Sequence, residues 1–152
     1  MWMAKISAKS EMDRFDAAAA LAILARGLCE DVSVYAFNER AYEVPARHGF
    51  ALRDALSATK GNASCGGLAV EMANQRGYDR IIVLTDGQWH YSSDDYRMAE
   101  AAKISPAPLT TKAYMINVSV EKHGVGYSNW ISIDGWSERV LDFIAANEVG
   151  AN

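Results

Sequence analysis

Cysteine, histidine and proline are scarce in this chain, and each scarcity removes a class of explanation. Two cysteines in 152 residues, Cys29 and Cys65, cannot build a disulfide framework. With no CxxC spacing and no Cys/His cluster, they offer no zinc site either. Their default is a pair of reduced thiols in a cytoplasmic protein. The three histidines, His48, His90 and His123, share no metal-ligand spacing. A long apolar run is also missing. The longest uncharged stretch near the N-terminus, Ala17–Ala25, is far short of the ~20 residues of a membrane helix. It lies between Asp16 and Arg26 with helical spacing, which argues against a signal-peptide core. Excess positive charge is lacking too: the net charge of −4 argues against a large non-specific nucleic-acid footprint. No G-x-x-x-x-G-K-[ST] loop occurs, which argues against nucleotide hydrolysis of the phosphate-loop type.

What remains is ordinary globular material, 50% hydrophobic and 22% charged, enough for one domain over residues 1–152 with a real core. Ser10 followed by Asp13 resembles a capping box, and Leu21, Leu24 and Leu28 keep helical spacing through an alanine-rich stretch, so a helix is expected over 11–29. Arg14, Arg26 and Lys9 read as its solvated face. "DVSVYAF" (31–37) is β-branched and aromatic, hence a strand, and Pro45 demotes "AYEVPAR" to an edge. Residues 49–59 read as a helix with Phe50, Leu52 and Leu56 on or near one face. A small-residue loop leads to a second short helix ending before Gly77, and "DRIIVLT" (79–85) reads as a buried strand. A helix is expected from Ser93 or Asp94 to about Ile104, stopped by Pro106 and Pro108. Strands at 113–120 and 129–133 and an amphipathic helix over "WSERVLDFIAANE" (136–148) complete the chain. Strands alternating with helices imply an α/β fold, a mostly parallel sheet with helices on both faces. The charge-free segment Ile81–Thr85 fits a central position in that sheet.

Candidate chemistry gathers where this strand ends. Asp86 follows Thr85 directly, and ligands in open α/β sheets collect at the carboxyl ends of strands. Ser64 lies in the glycine-bordered loop before the preceding helix, which opens on the same edge of a parallel sheet. A hydroxyl, a carboxylate and water are what a hard cation such as Mg²⁺ or Mn²⁺ accepts, although two protein ligands make only a weak site. The bland reading of Asp86 is a turn or helix cap. A serine hydrolase using Ser64 and His90 is the enzymatic alternative, but "NASCG" (62–66) misses the G-x-S-x-G nucleophile elbow at Asn62. Trp89 and Tyr91 beside His90 offer a stacking surface, with packing over the sheet edge as the plainer reading.

The order of motifs resembles a known family. "SAKSEMDRFDAAAALAILAR", "DVSVYAFNE", "EVPARHGFALRDAL", "SCGGLAVEM", "YDRIIVLTDGQ" and "ISIDGWSERVLDFIAANE" together look like the von Willebrand factor A (vWA) domain of the Ro autoantigen, or TROVE, family. The resemblance spans nearly the whole chain and implies a Rossmann-like three-layer fold with a metal-ion-dependent adhesion site at its carboxyl edge. In that family the site takes a D-x-S-x-S loop, a Thr and an Asp. Asp86 in Thr85-Asp86-Gly87 matches the third loop, and Ser64 falls where the second has its Thr. D-x-S-x-S occurs nowhere in the sequence, so the family's first, central strand and its loop are expected to be missing. The function implied is a non-enzymatic protein-interaction module of a TROVE/Ro-like ribonucleoprotein protein. Its incomplete metal site would be completed by a partner polypeptide supplying the strand and loop. RNA would be bound only indirectly, through a helical-repeat domain not contained in these residues. A structural or assembly role, with homo-oligomers and no metal, is the third alternative, and the expected setting is the cytoplasm with no membrane partner.

Overall fold

The computed structural model describes residues 5–6, 11–59, 61, 65–86, 107–119 and 129–150. In chain order the elements are α1 (Arg14–Leu28), β1 (Val34–Phe37), β2 (Ala41–Val44), α2 (Phe50–Ser57), α3 (Gly66–Arg76), β3 (Arg80–Thr85), β4 (Lys112–Asn117), β5 (Ile131–Asp134) and α4 (Val140–Val149). The expected helix over 93–104 lies outside the described residues, as do Ser10 and Lys9. The architecture is mixed α/β, with a parallel three-stranded sheet ordered β3-β4-β5 and an antiparallel pair β1-β2.

Each element follows from local chemistry, and the departures from expectation have local causes. α1 starts at Arg14 because Asp13 is the N-cap, its side chain accepting from Asp16 N at 2.7 Å. β1 and β2 form a hairpin closed by Asn38, whose Oδ1 accepts from Arg40 N at 3.1 Å, and Pro45 follows β2 directly at the outer edge. In α2, Leu52 is buried but Phe50 is exposed, contrary to a shared apolar face. Two residues turn a helix by about 200°, so Phe50 points away from the side that Leu52 buries. α3 ends on Gly77 at φ 69°, a left-handed cap that glycine adopts without steric cost. α4 begins at Val140 rather than 136, because Trp136 is held elsewhere: its indole N–H donates to Ala17 O of α1 at 3.1 Å.

The sheet's two faces sort the core. On one, Ala17, Ala18 and Leu21 of α1 and Val140 and Ile144 of α4 pack against Tyr114 and Ile116 of β4 and Ile82 and Leu84 of β3. On the other, Val70 and Ala73 of α3 meet Ile81 and Val83 of β3 and Ala113 and Met115 of β4. The alternation is that of strands with helices on both faces. The central strand of this sheet, however, is β4, buried from Ala113 to Asn117. The apolar run of β3 predicts that place for it; among the described residues β3 is instead an outer strand of this sheet, and its burial alternates with Ile82 and Leu84 only half-buried. Nothing among the described residues forms a ladder with its second side.

One ion cluster ties α4 to the start of the sheet. The Glu148 carboxylate accepts from the Arg80 guanidinium and lies 3.1 Å from Lys112 Nζ. The hydrogen bond from Arg80, aided by Lys112 and opposed by burial, holds the Glu148 carboxyl at about 2, against an ordinary 4.5. A depressed carboxyl gives stability that is fully present above its unfolded value and is lost as pH falls through its folded value. The expected result is a loss of about 2 kcal/mol between pH ~4.5 and ~2, discounted for the partly exposed Arg80. Urea midpoints measured across that range should fall for the wild type and stay flatter for Glu148→Gln. Equal slopes would show that the cluster contributes nothing.

Candidate functional site

The parallel strands end on polar residues that the fold buries. β3 runs into Thr85 and Asp86, and β4 into Asn117 and then Ser119; all four are buried. β5 ends on Asp134, which is exposed. Buried polar groups must be paired, and these are organised across strands. Asn117 Oδ1 accepts from Ser119 N at 3.0 Å, and its Nδ2 donates to Asp134 Oδ1 at 3.4 Å. Thr85 O accepts from Val118 N, and Asn117 O from Gly135 N, each at 2.8 Å. The carboxyl edge of the sheet is therefore one connected polar floor.

Arg14, at the first position of α1, reaches this floor. Its Nη1 lies 3.7 Å from Asp86 Oδ2, with the two side chains only 12% and 5% exposed. Its Nε donates to Lys5 O at 3.3 Å. Arg14 is thus no solvated residue, contrary to the expectation from helical spacing, because α1 starts at the sheet edge and aims it inward. Arg26 departs from that expectation as well, donating from Nη1 to Val32 O at 2.7 Å in the turn before β1.

Asp86 therefore lies where the sequence places it, at the carboxyl end of a strand. Ser64 and His90 lie outside the described residues, as do Trp89 and Tyr91. The residue after Ser64 is placed: Cys65, fully buried, donates its N–H to Asn38 O at 2.8 Å, just past the end of β1. The loop approaches so closely there that a Cβ on Gly61 would lie 2.5 Å from Asn38 Cβ. Cys65 and Cys29 do not form a disulfide. The described donors alone do not make a metal site. The cation facing Asp86 is Arg14, and among the described residues no three His, Cys, Asp or Glu side chains group to hold an ion.

Sequence reasoning misses Arg14, Asn117 and Ser119. A signal is present for the strand ends, since the apolar runs of "RIIVLTD" and "AYMIN" both stop on Asp or Asn. Arg14 leaves no such trace.

The second feature is a slot between β1 and β3. The Tyr35 and Tyr78 hydroxyls, near the starts of β1 and β3, are 2.7 Å apart, and burial followed by this hydrogen bond pushes the Tyr35 hydroxyl up to about 12. At the other end Asn38 holds Cys65, from which α3 runs back toward Tyr78. β1 and β3 thus point the same way, yet no ladder joins them among the described residues. Between them lies a cavity of about 530 Å³, lined by both strands, by Ala18, Ala22 and Ala25 of α1, and by Ala69 and Ala73 of α3. Among the described residues no helix is long and apolar enough to cross a membrane.

No family model, curated protein or solved structure matches the chain.

Proposed function

We propose that this chain is a non-enzymatic polypeptide-binding module of the vWA type, whose sheet is completed by a strand from another polypeptide. One observation carries the reading. Two co-directional strands face each other across a cavity of about 530 Å³, each with a ladder on its far side only among the described residues. Buried backbone N–H and C=O groups left without partners cost about 1–3 kcal/mol each. An added strand satisfies two edges at once, which a small apolar ligand cannot do. In this reading Asp86 and Ser64 are the remnant of a metal-ion-dependent adhesion site, and Mg²⁺ or Mn²⁺ gains a full ligand set only with a loop that the partner brings. The acidic balance of the chain, −4 overall, favours a protein over RNA as the direct partner.

Hydrogen exchange tests this directly. In the chain alone, the amides of β1 and β3 that do not bond to β2 or β4 should exchange fast, while those of β4 stay protected. A strand-forming peptide should then slow both edges together. Full protection of both edges in the isolated monomer refutes the reading.

A further inference from the structure

The cation that faces Asp86 is carried by a fold-back of the chain itself. Residues 5 and 6 run antiparallel to residues 12 and 13: Lys5 is bridged to Asp13, and Ile6 N donates to Met12 O at 3.2 Å. Arg14 comes next, and its guanidinium holds two things at once. Its Nε donates to Lys5 O at 3.3 Å, while its Nη1 lies 3.7 Å from Asp86 Oδ2. One side chain thus ties the fold-back to the carboxyl edge of the sheet. The two sides of Asp13 are held differently. After it the chain is fixed, because the Asp13 carboxylate caps α1. Before it, Ile6 is only partly buried against the core, and the ion pair of Lys5 with Glu11 involves a carboxylate 98% exposed, which contributes little. A segment with so little buried surface opens at a lower free energy than a core strand such as β4. The place that Arg14 fills is, by contrast, closely defined. Its side chain and that of Asp86 are almost wholly buried, so salt screens their attraction weakly. A divalent ion would need the same carboxylate oxygen, and two cations a few ångströms apart repel too strongly to share it.

We infer that Arg14 and the Lys5–Asp13 fold-back are a built-in plug of the carboxyl edge: a divalent cation reaches Asp86 only when Arg14 leaves it, and the departure of Arg14 loosens the fold-back. This rests on the metal-site part of the interaction-module reading and adds its regulation, since any loop that completes the site must first evict Arg14. The coupling is reciprocal, so whatever holds the fold-back closed weakens the cation by the same factor.

Two measurements on the full 152-residue chain test it. The first is broadening of the Asp86 and Asn117 amide NMR signals by Mn²⁺. A place that Arg14 fills about nine times in ten weakens a competitor about tenfold. Arg14→Met should therefore reach half-broadening at about one tenth of the Mn²⁺ that the wild type needs. Arg14→Lys keeps the charge and should stay near the wild type, which a merely structural role for Arg14 does not predict. The second measurement needs no variant. Hydrogen exchange at the Ile6 amide of the wild type should speed several-fold at the Mg²⁺ concentration equal to that of Mn²⁺ at half-broadening, while the β4 amides keep their rates. Half-broadening at the same Mn²⁺ in the wild type and Arg14→Met, or no broadening in either, overturns the inference. So does an Ile6 amide that keeps its rate when the Asp86 signal has broadened. Either failure leaves the module reading to be decided by the edge amides of β1 and β3. If those edges are fully protected in the monomer while Arg14→Met gains the cation, the module reading fails and the plug stands.

Discussion

Asp86→Ala is expected to lower the stability of the chain by about 2–3 kcal/mol, a drop of several degrees in melting midpoint for a domain of this size. The cost comes less from the lost attraction than from what remains. The Arg14 guanidinium, 12% exposed, would keep its charge and lose the carboxylate that faces it. Removing one partner of a buried pair usually costs more than the pair contributes. Arg14→Met should cost a similar amount from the other direction, by leaving Asp86 buried beside an apolar side chain. The double variant should recover part of the sum, with a coupling of about 1–2 kcal/mol in a double-mutant cycle. Additive losses with no coupling would show that the pair is incidental. The cycle also bears on metal. A cation at Asp86 would compete with Arg14, so Arg14→Met should make the melting midpoint rise more with millimolar Mg²⁺ than it does in the wild type; an equal response would show that no cation binds at Asp86.

The second large effect tests which strand is central. Ile116→Ala is expected to cost about 3–5 kcal/mol, because Ile116 is fully buried on β4 between the α1 and α4 side chains and its β3 and β5 neighbours. Ile82→Ala, on the adjacent strand and the same face, should cost only about 1–2 kcal/mol, because Ile82 is half-buried and borders the slot. Chemical denaturation of the two variants gives the comparison. Adding a strand peptide that fills the slot should bring the Ile82→Ala cost up toward that of Ile116→Ala. Equal costs in the isolated chain would mean that β3 is already flanked on both sides.

Much of the fold is legible in the residues themselves. "RIIVLT" and "AYMIN" declare themselves as strands by their apolar, β-branched and aromatic content, and each pairs as a strand of a parallel sheet. The helix over 14–28 follows from leucine spacing, and Pro45 marks β2 as an edge. One local rule places Asp86 at the sheet's carboxyl end: polar residues ending buried strands of α/β sheets face the ligand edge. Local chemistry is less successful at element ends. It assigns Trp136 to the last helix together with the amphipathic run that follows, whereas Trp136 lies ahead of α4, its indole N–H donating to Ala17 O, 119 residues away in sequence.

What the sequence determined by itself is therefore the kind and order of the elements, since hydrophobic period, caps and breakers act within a few residues. Tertiary structure alone decided how those elements share a core. That Arg14 meets Asp86, that β4 is the middle strand of the three-stranded sheet among the described residues, and that α1 and α3 border a cavity beside β1 and β3 all depend on approaches between residues tens of positions apart. An alanine-rich helix reads the same in sequence whether a strand lies against it or not. The difference is a matter of the volume left between packed elements, which exists only once the chain has folded.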